Sequence, residues 1–241
     1  MERNDGRAHD QLRPLVFHRG FTDAAEGSVL VEAGQTRVLC TVSVTGGVPP
    51  WRRDSGEGWL TAEYAMLPGS VVGRKRREFQ KRDGRSVEIQ RLIGRSLRAA
   101  LDLGGLPGWT LNVDCDVLQA DGGTRCASIS GAMVALHDAL RAMAGKDRIS
   151  YWPLRHWVGA VSVGLVGGRP VLDLDYSEDS AASVDMNVVA VDSGALVEVQ
   201  GTAEGEPYPA DQHGEMLALA LAGVAGITAA QREAVGQAAG A

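Results

Sequence analysis

Cysteine is scarce in this sequence: Cys40, Cys115 and Cys126 are the three in 241 residues, and no CxxC pair occurs. An odd number of widely spaced cysteines supports neither a disulfide framework nor a zinc ribbon. They read as buried apolar thiols in reducing surroundings. Long hydrophobic runs are missing too. Stretches such as 157–166 are broken by Gly159, Ser162 and Gly164 and fall short of the ~18 residues a spanning helix needs, so no membrane segment is expected. The charged residues 1–13 carry no apolar h-region, which leads us to expect an intracellular, cytoplasmic protein. No GKS or GKT closes a Walker loop, and no GxGxxG opens a dinucleotide fold, so neither ATP nor NAD is implied. The five histidines lack metal-ligand spacing, and His213 with Glu215 is not an HExxH helix.

What is present is enough apolar sequence for one large domain or two small ones, with 44% hydrophobic and 22% charged residues. The net charge of −6 is unevenly placed. Residues 74–98 hold ten Lys and Arg against Glu78, Asp83 and Glu88, on an otherwise acidic chain. Such segregation suits a polyanionic partner, and it equally describes a solvated basic loop followed by a helix face.

Periodicity divides the chain into strands and helices. Residues 29–33 and 37–45 form a hairpin around Gly34 and Gln35, with Val38, Cys40, Val42 and Val44 on one face. Residues 59–66 form a further strand, ended by Pro68 and Gly69, and 74–82 an exposed basic loop. A helix begins near Arg85, with Ile89, Leu92, Ile93 and Leu97 on its apolar side and Arg91, Arg95 and Arg98 as a second stripe. Residues 111–119 alternate as a half-buried strand, and 124–143 form a buried helix. The second half yields strands at 158–166, 170–176, 183–191 and 195–199, then a helix over 211–222. Residues 1–12 and the tail from about 228 to 241 are expected to fray.

Three local features carry chemistry. Asp121-Gly122-Gly123-Thr124-Arg125 lies where a strand hands over to a helix. Two glycines, free helix N–H groups, a hydroxyl and a guanidinium suit a phosphate group, although the bare pattern also fits an ordinary turn. Arg85 stands at another helix start. Two helix N-termini, each with an arginine, could clamp one dianion if the fold brings them together. Asp173, Asp175, Glu178, Asp179 and Asp185 cluster around a predicted turn. They could hold Mg²⁺, which takes one or two carboxylates plus phosphate oxygens and water, or simply decorate an exposed turn. The segment 201–205, GTAEG, is either punctuation or a wall of the site.

These features occur in an order that resembles the ribonuclease PH family. FTDAAEGSVLVEAGQTRVLCTVSV, GWLTAEYAMLP, GRSVEIQRLIGRSLRAALDL, DCDVLQADGGTRCASISGAMVAL, LDLDYSEDSAASVDMNVV and VEVQGTAEGEPY resemble its successive blocks, over about 13–226. The resemblance implies an α/β (α+β) domain spanning the chain, with βαβ-type units and mixed sheets packed against helices, assembled as a homo-hexamer built as a trimer of dimers. It implies a phosphorolytic exoribonuclease that trims the 3′ ends of tRNA precursors, and possibly rRNA, releasing nucleoside 5′-diphosphates. The family's phosphate-binding residues fall on Arg85, Gly123, Thr124 and Arg125. Its metal-binding and catalytic aspartates, for Mg²⁺ or Mn²⁺, fall on Asp179 and Asp185. Arg74, Arg76 and Arg77 become candidates for gripping tRNA. Cys126 and Ser86 stand where the family commonly has Thr, and Gly69 where it often has Arg, which weakens an RNA contact at position 69. A catalytically silent RNA-binding ring subunit would be expected to lose the cradle or the aspartates, and both are intact. A small-molecule phosphotransferase could use the same cradle, but the basic segment speaks for a polyanion.

Overall fold

The computed structural model describes residues 3–77 and 83–236. The first sheet contains β1 (Leu15–Arg19), β2 (Gly27–Ala33), β3 (Thr36–Gly46), β4 (Trp59–Met66) and β5 (Trp109–Gln119), in the order β1-β2-β3-β5-β4. All pairs are antiparallel except β4 with β5. Helix α1 (Gly84–Ala99) joins those two parallel strands, making a βαβ unit. The alternation read from the sequence holds in register: Cys40 lies opposite Cys115 and Val42 opposite Val113, all buried.

Helix α2 (Thr124–Ala144) packs across β2 and β3 and reaches β6 of the second sheet, so it lies between the two sheets. It is apolar on nearly all sides, as a doubly covered helix must be. Its approach to β2 requires glycine: a Cβ on Gly27 would meet the Ala135 carbonyl oxygen at 1.9 Å. The second sheet is antiparallel, ordered β7 (Arg169–Leu172), β6 (Val158–Val166), β8 (Val184–Val191), β9 (Leu196–Ala203). Helix α4 (Ala210–Ala234) covers it with Met216, Ala220, Val224 and Ile227.

Several boundaries differ from the sequence reading, and strand β9 runs to Ala203 rather than ending at 199. The strand expected over 170–176 stops at Leu172, and a short helix α3 (Tyr176–Ala181) takes over, because Asp175 and Glu178 form a reciprocal capping box. Strand β1 was not anticipated. Helix α4 continues to Ala234 rather than 222, with Thr228 and Gln231 buried. By length and composition it could cross a membrane, whereas here one side packs on the second sheet. The expected fraying of 1–12 gives way, from Arg3 onward, to a docked segment in which Arg3 is buried and bonds both Glu178 carboxylate oxygens at 2.7 and 2.8 Å. Burying a guanidinium is tolerable only with such a bidentate partner.

Candidate active site

The α2 N-terminus is left without a side-chain cap. Gly122 and Gly123 take φ of 72° and 63°, and a Cβ on Gly122 would lie 2.6 Å from the Leu174 carbonyl oxygen. This left-handed, crowded turn admits only glycine at Gly122. The first backbone bond of the helix runs from Ala127 N–H to Gly123 O, and no side chain caps the turn. The N–H groups of Thr124, Arg125 and Cys126 therefore have no acceptor among the described residues and point their partial positive charge outward.

Helix α1 starts differently. Asp83 accepts the Ser86 N–H at 2.6 Å and the Lys75 Nζ at 2.8 Å, and these bonds hold its carboxyl below the usual carboxylate range. The two free helix ends considered above therefore reduce to one, since a carboxylate already occupies the α1 end. Arg85 contributes its side chain instead: it is exposed and makes no hydrogen bond or ion pair among the described residues.

The fold does bring Arg85 and Arg125 to the same place. Both act electrostatically on Asp179, Asp185 and Tyr64. Thr124 Oγ1 lies 2.9 Å from the hydroxyl of Tyr64, a buried residue whose ionisation burial pushes up. Arg125 donates through Nη1 to Gln200 Oε1 at 2.9 Å, and to the Glu88 carboxylate at 3.3 and 3.4 Å. Tyr64, Glu88 and Gln200 escaped the sequence reading, because they come from three separate elements.

The acidic group divides into structural and available carboxylates. Asp173 receives Arg13, Glu178 receives Arg3, and Asp175 caps α3. That leaves Asp179 on α3 and Asp185 on β8. Burial pushes both pKa values up; Asp179 further raises that of Asp185, while Arg85 and Arg125 oppose the shift at both. Asp185 Oδ2 accepts the Asn187 side-chain amide at 3.3 Å, but Oδ1 is buried without a partner. A buried carboxylate oxygen with no donor, beside a second carboxylate, fits a cation ligand. Among the described residues no three His, Cys, Asp or Glu converge, so the pair suits an ion that completes its shell with substrate oxygens and water, as Mg²⁺ does.

The segment 201–205 is a wall of the site: Thr202 pairs in register with Asp185, and Glu204 raises the pKa of Asp179. Of the basic loop, Arg74, Arg76 and Arg77 are exposed. Lys75 ties the segment to Asp83, two residues before Arg85. Arg77 also lines a cavity of about 270 Å³ with Tyr64, Asp114 and Asp116. The rest of the expected loop, 78–82, lies outside the described residues.

Fold and site together describe an α/β protein in which an uncapped helix start and two arginines lie near a pair of carboxylates, and comparison with known proteins identifies its kind. Residues 11–141 match the 3′ exoribonuclease family, domain 1, and 156–223 match its domain 2; the chain belongs to this family, the RNase PH family. It is 58% identical to the Ribonuclease PH of Acaryochloris marina over 234 residues, 97% of this chain and 98% of that one. It is 58% identical to the Ribonuclease PH of Mycolicibacterium smegmatis over 236 residues, 97% of this chain and 91% of that one. The fold also matches the crystal structure of rice Rrp46, with a TM-score of 0.81 at 22% identity, covering 98% of this chain and 100% of that one. An Archaeoglobus fulgidus exosome with RNA bound to the active site matches with a TM-score of 0.77 at 24% identity, covering 92% and 90%. The chain is thus a phosphorolytic 3′ exoribonuclease.

Proposed function

We propose that this exoribonuclease acts in the cytoplasm on tRNA precursors, removing 3′ nucleotides one at a time as nucleoside 5′-diphosphates, and that it works as a homo-hexamer. The observation that carries the site assignment is the convergence of Arg85 and Arg125 on Asp179 and Asp185 beside an uncapped helix N-terminus. Inorganic phosphate sits on the N–H groups of the α2 start, the Thr124 hydroxyl and the two guanidinium groups. Gly123 lets the backbone come close. Phosphate is already a competent nucleophile, so positioning and charge stabilisation suffice and no activated Ser or Cys is needed. Cys126 fits that view: burial pushes its thiol up to about 12, so it stays protonated.

Asp179 and Asp185 would hold Mg²⁺ or Mn²⁺, which when bound supplies charge stabilisation to the transferring phosphoryl group. Tyr64 orients the Thr124 hydroxyl, and Gln200 with Glu88 holds Arg125 against the cradle. Arg74, Arg76 and Arg77 grip the tRNA backbone, in keeping with a basic segment on an acidic chain. The test is to incubate the protein with a tRNA bearing extra 3′ nucleotides and with an unstructured RNA of equal length, with and without phosphate. Nucleoside diphosphates released faster from the tRNA, and only with phosphate, support the reading. Equal rates on both RNAs would remove the tRNA assignment.

A further inference from the structure

The arginine stripe of α1 leads away from the cradle. Arg85 to Arg98 is 13 residues, about 20 Å at 1.5 Å per residue, or roughly six steps of a stacked strand at ~3.4 Å each. Beyond its end, the short 3-10 turn Pro50–Ser55 presents an aromatic and basic cluster. Arg98 Cζ stacks 4.6 Å from the Trp59 ring centroid, with Arg52 at 5.0 Å from the same ring. Trp51 meets Trp59 edge to face at 4.6 Å and is 65% exposed, so its outer face is open to a stacking partner. Arg52 is neutralised by Glu57 and Arg95 by Glu198. Arg53, Arg91 and Arg98 have no carboxylate partner among the described residues. Burial and the neighbouring Arg95 and Arg52 lower the pKa of Arg98, so crowding these cations has a cost that an anion would relieve.

We propose that this cluster, with the exposed Arg91 leading to it, is a second RNA-binding surface that holds the body of the substrate about six nucleotides from the 3′ end. Trp51 offers a stacking face for a base, and Arg53 and Arg91 meet phosphates, the combination that binds RNA without reading its sequence. Arg98 fixes the platform through Trp59 and its 2.9 Å bond to the Leu60 carbonyl. The surface rests on the chain acting on RNA, and its spacing of about six nucleotides rests on the proposed place of the 3′ end beside Arg85.

Because the cluster lies beyond the reach of a short substrate, its removal separates long from short RNA. The double variant Trp51→Ala/Arg53→Ala should raise the KM for 3′-extended tRNA about 5- to 10-fold with kcat unchanged, and should leave phosphorolysis of a tetranucleotide unaltered. Filter binding of tRNA, which needs no turnover, should weaken by the same factor. Its salt slope should fall by roughly 0.7–0.9 for the lost phosphate contact. Trp51→Phe should retain most of the affinity. Unchanged tRNA binding would overturn the proposal, as would an equal loss on the tetranucleotide. A lower assembly mass for the double variant would show instead that the cluster joins copies of this chain. Inactivity of the unmodified protein on both substrates would count against the proposed reaction, while the binding measurement still decides this surface.

Discussion

Arg13 closes on Asp173 through Nη2 at 2.7 Å, Nε at 3.1 Å and its own backbone N–H at 2.7 Å, while its Nη1 donates to the Asp121 carbonyl at 2.6 Å. One buried side chain thereby ties the turn before α2 to the segment leading into α3, which carries Asp179. Asp173 sits at φ 53°, a left-handed conformation that Asp tolerates better than most residues. Removing Arg13 takes the hydrogen-bonded fork away from the buried Asp173 carboxylate and leaves it Arg7 at 3.6 Å. Arg13→Ala should cost about 3–5 kcal/mol of stability, measured by urea denaturation. A loss under 1 kcal/mol would show that the pair is not the clamp described.

The aspartate pair makes a second prediction, in which stability and activity move oppositely. Asp185 has a raised pKa in the folded protein, so its contribution to stability is fully present below the unfolded carboxylate pKa and is lost as pH rises through the folded value. At pH 7.5 the ionised, buried carboxylate is a liability. Asp185→Asn should raise the thermal midpoint by about 2–4 °C at that pH, with the difference shrinking toward pH 4. Added Mg²⁺ should raise the midpoint of the unmodified protein but not of the variant. A lower midpoint for Asp185→Asn at pH 7.5 would contradict this account.

The basic loop is tested by salt. Replacing Arg74, Arg76 and Arg77 with Ala should weaken tRNA binding and flatten its dependence on log salt by roughly 0.7–0.9 per lost contact. Binding unchanged at both low and high salt would make the segment a solvated loop.

Assembly is tested by light scattering. Six copies of the 25.4 kDa chain are expected, and a stable, fully active monomer would contradict the hexamer.

Most strands are legible in the sequence, either through period-two alternation as in β4 or, as in the fully buried β6, as a short apolar run bounded by turn residues. Residues 59–66 and 158–166 coincide with β4 and β6. Strand β1 has five residues and pairs on one side only, with β2, which leaves little periodic signal. Helix α3 is six residues, too short for a helical repeat, and only its capping pair Asp175 and Glu178 announces it. Gly223 and Gly226 resemble stop signals in the sequence, yet helix α4 runs through both to Ala234. In fact Gly223 lets the helix approach Leu172, where a Cβ would meet Cδ1 at 2.8 Å. At the site, the loop and its arginines are contiguous and legible. The selection of Asp179 and Asp185 from five acidic residues depends on Arg3 and Arg13, which lie some 160 to 175 positions away from their partners. No local pattern encodes such a pairing.

The phosphate dependence of the rate on 3′-extended tRNA, compared between Arg125→Ala and Asp185→Asn, tests the division of the site most directly. Arg125→Ala removes a charged fork from the nucleophile's cradle, so it should raise the phosphate concentration for half-maximal rate while tRNA binding survives. Asp185→Asn keeps the shape but removes the negative charge, so the maximal rate should fall by roughly 10² or more, and extra phosphate should not restore it. An Asp185→Asn protein that shifts only its phosphate requirement, or an Arg125→Ala protein with that requirement unchanged, would contradict the roles assigned to the two residues.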